Sequence, residues 1–166
     1  MRTLYLIRHA SAAAVGPEGD AARPLTPQGE REAEAIGRFM ASAALPVDGV
    51  VCSSAARARQ TAEAVLRAMG SQKEAEALSD LYNASGPELL RWLQDWEGEE
   101  TRLMVVAHMP GLGELVSLLT TEAHDLEAGF PAGTLAIVTG EAEWADWDHG
   151  RGSLQLLLAP AMVLER

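Results

Sequence analysis

The chain has 166 residues, 48% of them apolar and 22% charged, with 13 basic against 24 acidic side chains and a net charge of -11. That length and composition fit one globular domain with its own core, expected to span residues 1–166. The acidic balance argues against a sequence-independent grip on nucleic acid and against binding to an anionic membrane surface, since both need a basic footprint.

The first expected element is a buried strand, Thr3 to Ile7, ending at Arg8-His9. Ala10 to Pro27 carries glycines and prolines without period and reads as a long surface loop. Thr26-Pro27 is a helix start, with Thr as N-cap and Pro at the first helical position. Ala33, Ile36 and Met40 then recur at helical spacing, which predicts a helix over 27–43. Val47 to Cys52 is a second strand, and Ser53-Ser54 suggests a capped entry into a helix with Ala58, Ala62, Val65 and Met69 on one face.

Glu74 to Leu78 is a weak third strand. Pro87 to Trp96 is a helix expected to turn Leu89, Trp92, Leu93 and Trp96 inward. Arg102 to Ala107 is a strongly apolar strand that runs into His108, and Gly111 to Thr121 is helical. Thr134 to Thr139 and Leu154 to Leu158 are two closing strands with a polar turn between them and no helix, as an antiparallel edge would have. Strands alternating with helices indicate an α/β fold: three layers, with a mostly parallel central sheet of about six strands flanked by helices.

No apolar run approaches a membrane span. Leu4 to Ile7 is too short for the apolar core of a leader. Cys52 is the sole cysteine, which rules out a disulfide framework within the chain and fits a reducing cytoplasm. A monomer is the default expectation.

In open α/β sheets, ligands bind at the carboxyl ends of strands. Here the first strand ends in Arg8-His9, the second leads through Cys52-Ser53-Ser54 to Arg57, and the fourth ends in His108. Two histidines and two arginines therefore converge on one rim. A metal site would need a third ligand and would sit beside repelling guanidiniums, so no metal is expected. A tetrahedral anion suits the set better, because arginine presents a planar fork that matches phosphate oxygens. Of the 13 cations only Lys73 is lysine, although codon usage alone also explains such a bias.

The segments LYLIRHA, RPLTPQGEREA, CSSAARARQTAE and VVAHMPGL stand in that order in the chain. Together they resemble the histidine phosphatase superfamily, and most of all its short phosphohistidine phosphatase branch, which contains the bacterial SixA proteins. The resemblance runs from residue 3 to about residue 120, and it implies a phosphoglycerate mutase-like fold. By residue, it implies that His9 is the nucleophile that becomes phosphorylated and that Arg8 is the adjacent phosphate ligand. Arg57 would be the second pocket arginine, with Arg59 as the alternative register facing solvent. His108 would be the second pocket histidine, and Arg23 a further phosphate-binding arginine.

Two departures stand out. The family's usual RHG is RHA here, with Ala10 in the glycine position; a methyl group there is tolerable unless the backbone needs a positive φ. The family's proton-donor glutamate is replaced, in the setting Leu78-Ser79-Asp80, by the shorter Asp80. His124 and His149 are expected to be structural, Cys52 a small buried hydrophobe, and Trp92 and Trp96 core residues.

The resemblance implies a phosphatase without a cofactor, acting on a phosphorylated protein or a small phosphorylated substrate. Arg8 and Arg57 should depress the pKa of His9 and keep it neutral for attack. With only Asp80 as a possible donor, leaving groups that need little acid assistance are favoured, phosphohistidine among them. Two rivals stand beside this reading: a small-molecule phosphomonoesterase on the same scaffold, and a non-catalytic phosphate-binding module. A phosphoglycerate mutase would need longer insertions.

Overall fold

The computed structural model describes residues 1–121, 126 and 130–164. Six strands form one sheet in the order β3-β2-β4-β1-β5-β6. In chain order these are β1 (Arg2–Arg8), β2 (Gly49–Ser53), β3 (Glu76–Leu78), β4 (Arg102–Ala107), β5 (Leu135–Gly140) and β6 (Ser153–Leu158). The helices are α1 (Pro27–Ser42), α2 (Ala56–Met69), α3 (Gly86–Gln94) and α4 (Gly111–Leu119). β3, β2, β4 and β1 are mutually parallel. β5 runs against β1, and β6 against β5. The expected antiparallel edge is therefore present.

The central strands are apolar on both faces, as a parallel sheet covered by helices requires. Alternate residues serve different layers. Leu4 and Leu6 of β1 and Leu103 and Val105 of β4 pack with Leu89 and Leu93 of α3 and with Leu112 and Leu115 of α4. Tyr5, Ile7, Met104 and Val106 pack on the other face against Ile36 and Met40 of α1 and Ala58, Ala62 and Val65 of α2. This is the three-layer arrangement expected from the sequence, and aliphatic residues with alanine fill most of it.

Several boundaries differ from the sequence reading. The Thr26 side chain caps α1 by accepting from the Gly29 amide, as expected. Ser53-Ser54 does not cap α2, whose N-cap is Ala55 without a side-chain bond. Ser53 is fully buried and its hydroxyl is engaged elsewhere. α3 begins one residue before Pro87, because Ser85 and Glu88 form a reciprocal capping box. It buries Leu90 along with Leu89 and Leu93, while Trp92 and Trp96 are only half-buried against the core. Asp95 ends the helix before Trp96 can join its inner face. The buried tryptophans are Trp144 and Trp147.

The loop between β1 and α1 is folded rather than open. Ala12 bridges to Leu25, and Asp20–Ala22 forms a 3-10 turn. The Ser11 carbonyl accepts from the Thr26 amide at 2.9 Å, and a Cβ on Gly29 would stand 2.0 Å from that same oxygen. Glycine at 29 thus lets the first turn of α1 press against the loop that begins at the end of β1.

Candidate active site

The carboxyl ends of β1, β2 and β4 meet in a concavity of about 540 Å³ lined by Arg8, His9, Arg23, Arg57 and His108 together with Asp20 and Asn83. Its floor is an extension of the sheet. The His9 amide donates to the Ala107 carbonyl at 3.0 Å, so the β1–β4 ladder continues into the residue that carries the imidazole. His108 follows β4 directly, and Arg57 lies in the first turn of α2, just beyond β2. Three separate crossings of the chain are therefore fixed at one rim by backbone hydrogen bonds.

His9 Nδ1 donates to the Ala10 carbonyl at 2.8 Å. That bond places the ring proton on Nδ1 and leaves Nε2 with a lone pair facing the pocket. Arg57 Nε donates to that Nε2 at 3.3 Å. Burial, opposed by the bond to Ala10 and assisted by the charges of Arg57 and Arg8, lowers the His9 pKa to about 4. The sequence reading attributed the neutral imidazole to the arginines; desolvation is the larger cause. The His9 and His108 rings lie 5.2 Å apart.

Burial, then the neighbouring His9 and Arg57, lower the His108 pKa to about 3. His108 Nε2 is 2.7 Å from the Ser53 hydroxyl, and the Ala55 amide donates to that same oxygen at 3.2 Å. Arg57 Nη2 lies 3.5 Å from His108 Nδ1. Arg8 Nη1 donates to the Phe130 carbonyl at 2.9 Å, while its buried Nε has no partner among the described residues. Arg23 reaches the Ala13 carbonyl at 3.2 Å. Arg59 is exposed, outside the pocket. The Arg57 register is the one that enters the site.

Ala10 is fully buried in the apolar layer and is absent from the residues of positive φ. The glycine usual at this position is thus not needed for backbone freedom. The Ala10 amide donates to Thr61 Oγ1 at 3.0 Å, which ties the turn after β1 to α2.

Asp80 does not join the histidines. It is exposed and lines a neighbouring hollow with Tyr82, Glu88, Arg91 and Trp92. It stands on the 3-10 turn after β3 and does not line the pocket of the two histidines. His149 is exposed and pairs with Asp148 at 2.7 Å. His124 lies outside the described residues. Cys52 is buried, and desolvation pushes its thiol up to about 11, so it is not a nucleophile at neutral pH.

Sequence reasoning missed four contributors. Glu32, buried on α1, accepts from the Ser11 amide at 2.9 Å and the Ser11 hydroxyl at 2.8 Å. Its signal was available: Glu32 falls on the same stripe as Ile36 and Met40, and a carboxylate on a buried stripe demands partners. Ser53, Asp20 and Tyr82 carried no comparable pattern.

The family model for the histidine phosphatase superfamily (branch 1) matches residues 4–98, more than half of the chain. The chain belongs to this superfamily. The stretch matched carries Arg8, His9, Arg23 and Arg57 of the pocket. Among relatives of this histidine phosphatase, an uncharacterized protein of Mycobacterium tuberculosis is 31% identical over 155 residues, covering 89% of this chain and 96% of that protein. Among solved structures, a candidate SixA phosphohistidine phosphatase from Nakamurella multipartitia is 34% identical, with a TM-score of 0.79 and 96% of each chain covered. Another, from Agrobacterium tumefaciens, is 31% identical, with a TM-score of 0.81, covering 96% of this chain and 98% of that one. The six-stranded sheet and its flanking helices are thus the phosphoglycerate mutase-like fold of these SixA-type proteins.

Proposed function

We propose that this chain is a phosphatase that works through a phosphohistidine on His9, without a metal, and that its substrates are phosphohistidine side chains of proteins. The observation that carries the reading is the state of His9: a neutral ring with Nδ1 tied to Ala10 and Nε2 facing two guanidiniums and a second histidine.

In the first step His9 Nε2 attacks phosphorus. The bond from phosphorus to the leaving nitrogen breaks, and its electron pair stays on that nitrogen. Charge on the transferring group spreads over the equatorial oxygens, and Arg8, Arg57, His108 and Arg23 supply donors for them. The Arg8 Nε, without a partner among the described residues, is one such donor. In the second step water attacks phosphorus, the electrons of the phosphorus–Nε2 bond return to His9, and inorganic phosphate leaves.

Ser53 sets which face of His108 meets the substrate. Its oxygen already accepts from the Ala55 amide, so its proton is available to His108 Nε2. In the resting chain Arg57 Nη2, which can only donate, lies 3.5 Å from Nδ1. Once a phosphoryl group engages Arg57, the neutral ring accepts from Ser53 at Nε2 and carries its own proton on Nδ1 toward that group.

The leaving group follows from what the site lacks. Asp80 is outside the pocket. Asp20 is inside it, but the Tyr82 hydroxyl, then Arg57 and Arg23, hold its carboxyl below the ordinary range, so it is ionised at neutral pH. An alkoxide benefits from an acid that the described residues of this pocket do not offer; an imidazole accepts a proton near neutrality without one. Among the described residues, strand ends, loops, the Asp20 turn and the first turn of α2 line the pocket, a lining that suits a side chain presented by another protein.

The test is phosphate release by wild type and His9→Ala, with chelator present, from a phosphohistidine-bearing protein and from a panel of sugar and nucleotide phosphates. Wild type alone is expected to turn over, with the phosphohistidine protein preferred. Preference for a metabolite would keep the chemistry and overturn the substrate. Inert wild type that still binds phosphate would make the chain a binding module.

A further inference from the structure

Two of the three arginines assigned to the phosphoryl group, Arg57 and Arg23, already face an anion. Asp20 opens the 3-10 turn in the loop between β1 and α1. Its Oδ2 accepts from Arg57 Nη2 at 3.2 Å, and its backbone carbonyl accepts from Arg57 Nη1 at 2.9 Å. Its Oδ1 lies 3.0 Å from Arg23 Nε, an ion pair without hydrogen-bond geometry. The Tyr82 hydroxyl donates to Oδ2 from the opposite side. One carboxylate thus spans both guanidiniums within the pocket that contains His9 and His108.

The partners are unequally fixed. The Arg57 side chain is 4% exposed, whereas that of Asp20 is 52% exposed. No residue of the Asp20–Ala22 turn is buried, and the residue before it, Gly19, has φ 103, a region open to glycine. The cation belongs to the floor, while the anion sits on a surface turn that little packing retains. Tyr82 stands beside the pocket: its ring meets His108 edge-on at 5.6 Å, and the Arg57 guanidinium lies 6.0 Å from its centre.

A phosphoryl group and the Asp20 carboxylate cannot share these donors without a close contact of like charges. We infer that Asp20 is an internal competitor, latched by Tyr82, that sets how tightly the pocket holds phosphoryl anions, the product phosphate included. The inference rests on the reading of Arg57 and Arg23 as phosphoryl ligands. Displacing Asp20 costs every anion the same, so the device lowers affinity uniformly and speeds release of product rather than ranking substrates.

The experiment is calorimetric titration of inorganic phosphate into wild type, Asp20→Asn, Tyr82→Phe and Arg57→Ala, with thermal unfolding of each as a check on folding. Asn keeps the size and removes the charge. Asp20→Asn is expected to bind phosphate about tenfold more tightly than wild type, the scale of a broken partly exposed ion pair plus a removed like charge. Tyr82→Phe should shift the same way by less, and Arg57→Ala should abolish binding. Equal binding by wild type and Asp20→Asn would overturn the inference, and weaker binding would make Asp20 a strut that orients the arginines. Unaltered phosphate binding in Arg57→Ala would instead overturn the underlying reading of the site. Detectable binding only in Asp20→Asn would support the inference most strongly.

Discussion

The floor and the rim of the pocket are built differently. His9, Arg57 and His108 follow directly on β-strands or open a helix, and backbone ladders and burial fix them. Asp20, Arg23 and Tyr82 stand on turns and loops, half-buried or exposed, and are held by side-chain contacts with one another and with Arg57. The floor can preorganise donors around a reacting phosphorus because the sheet has already ordered them. The rim can change its contacts at little cost, so it is suited to setting affinity rather than lowering the barrier.

That contrast is sharpest in the arginines. Removing Arg57 should lower kcat/KM roughly 100- to 1,000-fold, as loss of one preorganised oxyanion donor does, with most of the loss in kcat. Removing Arg23, which reaches in from the loop, should cost about tenfold and mainly in KM, the pattern of uniform binding. Steady-state kinetics of Arg57→Ala and Arg23→Ala on one substrate compare them directly. Equal losses in kcat would erase the distinction between floor and rim.

The floor also leaves a mark on stability. His9 and His108 are neutral in the folded chain, with pKa values lowered from 6.5 to about 4 and about 3 by burial first. Above pH 6.5 neither the folded nor the unfolded state binds these protons. As pH falls from 6.5 toward 4, the unfolded chain takes up protons that the folded chain refuses, so stability falls on acidification. Between pH 7.5 and pH 5 the loss should be about 2 kcal/mol for each histidine, roughly 4 kcal/mol for the pair, read from urea midpoints. His108→Asn should flatten part of that slope. An unchanged slope would mean that His108 is solvated.

The sequence exposed the floor far better than the rim, for a physical reason. The strand ends are marked by apolar runs that stop abruptly at Arg8-His9 and His108, and the topology of an α/β sheet brings such ends together without any contact being known. Thr26-Pro27 marked α1 because capping chemistry is local. Asp20, by contrast, acts through Arg57 and Tyr82, which are distant in sequence, and a short turn has no period from which to infer its placement. Asp80 misled for the same reason: its distance from Leu78 matches the family setting, but where a carboxyl points after a short strand is decided by tertiary packing. Ser53 misled differently. A serine at a strand-to-helix junction is ordinarily a cap, and only the nearness of His108 turns its hydroxyl to another use.

Ser53 lies between the two regions in its expected effect. It is fully buried like the floor, yet its hydroxyl lies against His108 rather than the pocket. Ser53→Ala removes the hydroxyl that fixes the His108 tautomer, and it leaves Nε2 buried without that partner, which costs about 1–3 kcal/mol. The ring can then place its proton on Nε2, and Nδ1 ceases to donate toward the phosphoryl group. We expect a fall of roughly tenfold in kcat with KM little changed, since about 1.4 kcal/mol in the barrier is a factor of ten. Nitrogen chemical shifts of His108 decide whether the cause is the tautomer: with phosphate bound, wild type should show a protonated Nδ1, and Ser53→Ala a mixture. Ser53→Thr, which keeps the hydroxyl, should restore both the shifts and part of the rate. If Ser53→Ala loses activity while the His108 shifts stay as in wild type, the hydroxyl packs the junction and does not orient the ring.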